Sequence, residues 1–118
     1  MSGIRRISSF LACSIIAGCG GETTSSASTT TALTATVVAA ASIEFKPPTV
    51  TIAPGGIVTF QFESVQHNVF FDDEGEGAPD NISQPTANAT VTRTFDVPGR
   101  YAYHCHIHPT MSGEIIVH

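Results

Sequence analysis

The chain has 118 residues, and its ten acidic side chains outnumber its five basic ones to give a formal charge of −5. An acidic body of this size is a poor partner for nucleic acid, and its length suits one folded core.

The first eighteen residues read as a targeting segment. Arg5 and Arg6 form a positive start, and the twelve residues from Ile7 to Gly18 are largely apolar. A bilayer span needs ~20 such residues, so the segment is a signal peptide by length and not a membrane helix. It ends in Ile16-Ala17-Gly18-Cys19, which resembles the lipobox of bacterial lipoproteins. The resemblance implies cleavage after residue 18, lipidation of Cys19, and a chain anchored to a bacterial membrane in the periplasm or at the cell surface. The alternative is an ordinary cleaved signal with Cys19 incidental. Cys13 has too little apolar chain before it to serve in that role.

Cleavage leaves three basic residues against ten acidic ones, a net charge of about −7, which favours a basic protein partner. It also leaves Cys105 as the one cysteine free of lipid, and Met111 as the one methionine. A lone thiol in an exported, oxidising compartment needs a reason, and metal ligation supplies one.

Residues 19–35 are rich in Ser, Thr and Ala without apolar periodicity, and are expected to form a flexible tether. The folded domain is expected over residues 36–118. Thr36 to Ala41, Ile43 to Phe45 and Thr49 to Ile52 read as short strands, broken by Lys46-Pro47-Pro48 and Ala53-Pro54-Gly55-Gly56. From Ile57 to Phe62 the pattern alternates, with Val58, Phe60 and Phe62 on one face. His67, Val69 and Phe71 share a face of the next run. Asp72 to Asn88 is expected to be irregular, with room for a helical turn, and carries the acidic group Asp72, Asp73, Glu74, Glu76 and Asp80. Ala89 to Phe95 alternates again, Tyr101, Tyr103 and Cys105 share a face, and Gly113 to His118 closes the chain. About eight short strands with Gly/Pro turns, and no helical period, predict an all-β, Greek-key sandwich or flattened barrel.

The chemistry concentrates in Tyr103-His-Cys-His-Ile-His-Pro-Thr-Met-Ser-Gly113. Cys105, His108 and Met111 bring a thiolate, an imidazole and a thioether into seven residues. Joined by His67, they make a soft donor set suited to copper cycling between Cu(I) and Cu(II). Zinc would accept one cysteine and two histidines with a water as fourth ligand, but a methionine in that place favours copper. A structural thiol beside a histidine-rich turn is the bland alternative. Asn68, polar between apolar neighbours, is expected to support the ligands next to it.

These residues resemble the copper loop of cupredoxins, in particular the short loop of amicyanins. His67-Asn68-Val69 is similar to their upstream ligand strand, and Phe45-x-Pro47 through Phe60 to their first half. The resemblance covers residues 36–118. It implies one type 1 copper ion with His67, Cys105 and His108 equatorial and Met111 axial. It further implies a monomeric, non-enzymatic one-electron carrier serving basic cytochromes or dehydrogenases. His106 and Ile107 depart from the amicyanin pattern between the cysteine and the histidine. His104-Cys105-His106 also opens the copper motif of multicopper oxidases, but five histidines in all are too few for a trinuclear cluster. By strand alternation His104 and His106 face away from Cys105. A copper chaperone or reservoir is the rival function, and exposed, exchangeable ligands would mark it.

Overall fold

The computed structural model describes residues 30–72 and 77–118. The expected signal peptide, Cys19, most of the tether, and Asp73, Glu74 and Glu76 lie outside these residues.

Nine strands form among the described residues: β1 (Thr34–Ala40), β2 (Glu44–Lys46), β3 (Thr49–Ile52), β4 (Gly56–Phe62), β5 (His67–Phe71), β6 (Ile82–Thr86), β7 (Ala89–Phe95), β8 (Gly99–His104) and β9 (Ser112–Val117). They make two sheets, ordered β2-β1-β4-β7 and β3-β9-β8-β5-β6. The pairs β1·β4 and β3·β9 are parallel, and the remaining neighbours are antiparallel. The expected all-β sandwich is what the chain adopts, and the described residues contain no helix.

Side-chain alternation explains the layering. In β4, Val58, Phe60 and Phe62 point inward while Ile57 and Gln61 are exposed. β1 contributes Val37 and Ala39, β9 contributes Ile115 and Val117, and β8 contributes Tyr101 and Tyr103. Period-2 burial of this kind places one apolar face of each sheet against the other. Tyr103 occupies the centre, edge-on to Phe45 at 4.8 Å and to Phe60 at 5.5 Å between ring centroids. Its cross-strand partner is Gly113, where any Cβ would collide with the tyrosine hydroxyl. Gly55 has φ +84° in the β3–β4 turn, a conformation that costs glycine little.

Two expectations change. The segment from Asp72 to Asn88 holds no helical turn among its described residues; it contributes β6, which pairs with β5 at the sheet edge. β1 runs from Thr34 to Ala40 where the sequence suggests a strand from Thr36 to Ala41, because Thr34 already pairs with Ile57 of β4. Leu33 and Ala32 are also tied in, their carbonyls accepting from Ile57 and Ala53.

Candidate metal centre

The site forms where β5 begins and the β8–β9 connection turns. Alternation along β8 carries Tyr101 and Tyr103 inward, and Cys105 follows them into the core with no exposed surface. The chain then reverses within six residues. The N–H of Cys105 donates to the Met111 carbonyl at 3.0 Å, and the N–H of Met111 donates to the His108 carbonyl at 2.8 Å. These bonds fix the loop backbone from both ends. Met111 is buried in the same apolar cluster as Cys105, and His108 stays partly exposed at the turn.

His67 enters from β5, fully buried. Its Nε2 lies 2.9 Å from the Ala40 carbonyl, which can only accept, so Nε2 carries the proton. Nδ1 is left with a free lone pair directed at the loop. Burial lowers the pKa of His67; the Ala40 carbonyl opposes that shift, His108 adds to it, and Glu63 opposes it. The neutral, metal-ligating imidazole is therefore the favoured form.

Three donors converge. His67 Nδ1 and His108 Nδ1 are 3.1 Å apart, and Cys105 Sγ stands 4.0 Å from the first and 3.9 Å from the second. A point equidistant from all three lies about 2.2 Å from each, within the roughly 2.0–2.3 Å of imidazole and thiolate bonds to a first-row metal. These are the residues among those described that group as a metal cluster. His67 Nδ1 can only accept, so this contact is met by a proton on His108 Nδ1 or by a cation between the two nitrogens.

Asn68 joins the two halves. Its backbone N–H points at Cys105 Sγ at 3.5 Å, and its side-chain Oδ1 accepts from the His106 N–H at 2.7 Å. Both bonds cross between β5 and the loop, 37 and 38 residues apart in sequence. These two contacts are where a supporting role for Asn68 would act. Three features had no signature in the sequence: the Ala40 carbonyl, the contact of His104 Nδ1 with Asp72 Oδ1 at 2.6 Å, and the stacking of His106 on Phe70. Only the outward direction of His104 and His106 was legible, from alternation.

Residues 32–118 match the family of copper binding proteins of the plastocyanin/azurin type, and the chain belongs to that family. Among its relatives, amicyanin-alpha of Methylorubrum extorquens is 36% identical over 80 residues, covering 65% of this chain and 66% of that protein. A reduced Cu(I) amicyanin structure superposes with a TM-score of 0.61 at 29% identity, over 70% of this chain and 80% of its own. The copper-containing nitrite reductase of Thermus scotoductus also matches, with a TM-score of 0.59 at 26% identity, but across only 22% of its length. The donor set and the family agree on one copper ion as the cofactor.

Proposed function

We propose that this protein carries one electron at a time on a type 1 copper ion held by His67, Cys105, His108 and Met111. The observation that carries the reading is the triangle of donors, two of them fully buried, spaced so that one ion could reach all three. Bound there, copper supplies a couple between Cu(I) and Cu(II). The residues do the rest. Cys105 and His67 are sealed from water, the Ala40 carbonyl fixes the His67 ring, and Asn68 fixes the Cys105 strand against β5. Ligands that are already in place need little movement when the charge on the ion changes, which is what fast electron exchange requires. Three nitrogen and sulfur donors with a weak axial thioether suit this use. With Met111 as the fourth donor every position on the ion would be taken by the protein, a reading that fits a carrier and not an enzyme.

The lipobox-like Ile16-Ala17-Gly18-Cys19 supports a lipid on Cys19 and a location in the periplasm or at the cell surface, and we take the domain to act as a monomer. The partner is a basic redox protein, such as a cytochrome or a dehydrogenase, docking near His108. Ile107 is exposed beside it and offers apolar contact.

Copper-loaded, oxidised protein should be strongly coloured by charge transfer from Cys105 sulfur to Cu(II), and Cys105→Ser should abolish that colour. Electron exchange with a small cationic redox protein should be fast and should slow as salt shortens the screening length below the ~8 Å of physiological buffer. Colour retained in Cys105→Ser would overturn the site. Removal of the metal within seconds by a Cu(I) chelator, with sluggish electron exchange, would replace the carrier by a copper reservoir.

A further inference from the structure

His104 ends β8 and His106 follows the buried Cys105, and their two rings lie side by side at the surface. Their ring centroids are 4.8 Å apart and tilted by 37°. The rings of His67 and His108, whose Nδ1 atoms converge to 3.1 Å, have nearly the same separation of 4.9 Å. Neighbouring imidazoles can share one ion once each turns a nitrogen toward it.

Each ring is held by a different neighbour. His104 Nδ1 is 2.6 Å from Asp72 Oδ1, so Nδ1 carries a proton toward the carboxylate. In the neutral ring Nε2 then holds the lone pair. A carboxylate behind a histidine in this way sets the tautomer and strengthens the other nitrogen as a ligand. His106 lies flat on Phe70, with centroids 3.6 Å apart and planes within 7°. Its backbone is fixed as well, through the N–H bonded to Asn68 Oδ1. As a plain surface ion pair, the exposed Asp72–His104 contact would add little stability. That does not account for a second ring positioned next to it.

We propose that His104 and His106 form a second, surface metal site for an exchangeable divalent ion of the imidazole-binding class, with Asp72 orienting His104. Two imidazoles completed by water suit Cu(II) in tetragonal geometry, followed by Zn(II) and Ni(II). The site is separate from the donor triangle: its ligands flank Cys105 in sequence but lie at the surface.

The test is titration of Zn(II) into copper-loaded, full-length protein purified without a histidine tag, followed by calorimetry. The buried site is already filled, and its absorbance reports separately that it stays intact. One equivalent of Zn(II) should bind. His104→Gln or His106→Gln should weaken that binding by more than tenfold, and Asp72→Asn by roughly 10–100-fold, all with unchanged colour. A parallel Cu(II) titration should add a second, nitrogen-coupled paramagnetic signal that the double variant H104Q/H106Q lacks. No stoichiometric Zn(II) binding, or binding that survives in the double variant, would overturn the proposal.

Discussion

Asn68→Ala should separate the scaffold's contribution to the metal centre from the metal's own. The side chain is nearly buried, at 6% exposure, and its Oδ1 accepts the His106 N–H at 2.7 Å. Alanine removes the acceptor and leaves that donor half-buried without a partner. Stranding such a donor costs about 1–3 kcal/mol, more than the ~1 kcal/mol net value of an average hydrogen bond. For a domain under a hundred residues each kcal/mol moves the midpoint by roughly 4–8 °C, so a drop of about 5–20 °C is expected. The backbone N–H that faces Cys105 Sγ belongs to residue 68 whatever its side chain, so the coloured state should persist when copper is added.

The assay is thermal unfolding of the metal-free domain by circular dichroism, alongside the visible spectrum of the loaded protein. Asn68→Asp sharpens it. The aspartate keeps an acceptor oxygen and should keep most of the stability, but it adds negative charge beside the thiolate. Negative charge favours Cu(II) over Cu(I), so the potential should fall. A midpoint in Asn68→Ala within about 2 °C of the parent would refute the link assigned to this side chain.

On the proposed ligand set, Met111→Leu should keep copper and colour and raise the potential, because a weak thioether would tune the ion more than hold it; loss of all copper on dialysis would make Met111 a principal ligand. Tyr103 has a buried hydroxyl with no partner, so Tyr103→Phe should leave stability unchanged or raise it by up to about 1–3 kcal/mol in a denaturant titration. Gly113→Ala places a methyl group against that hydroxyl and should cost about 1–3 kcal/mol in the same titration. Cys19→Ser should move the protein from the membrane fraction to the soluble fraction, and a chain that stays membrane-bound would remove the lipid anchor.

The strand faces were legible because alternation is a local property. Val58, Phe60 and Phe62, or Tyr101, Tyr103 and Cys105, are spaced to share a face in any extended chain, and burial follows once two such faces meet. β6 was not legible for a related reason. Ile82-Ser83-Gln84-Pro85-Thr86 has one buried apolar residue and a proline, a pattern that does not read as a strand. It forms at the edge of its sheet, where one side of the backbone needs no partner and a proline is tolerated. Pairing with β5, and not its own side chains, decides its state.

The same distinction runs through the metal centre. Cys105, His108 and Met111 lie in one short loop, so their spacing announced the site before any fold was known. His67 was legible as a residue type in His67-Asn68-Val69, but its place beside the loop comes from β5 pairing with β8. The Ala40 carbonyl that fixes the His67 tautomer has no residue identity to read; any side chain at position 40 would present the same oxygen. Its place depends on β1 running parallel to β4, with Ala39 opposite Phe62, so that the strand ends beside the His67 ring. Residues that supply chemistry are therefore written in the sequence by type. Groups that orient them are written only in the register between strands, and the Asp72 carboxylate behind His104 belongs to that second kind.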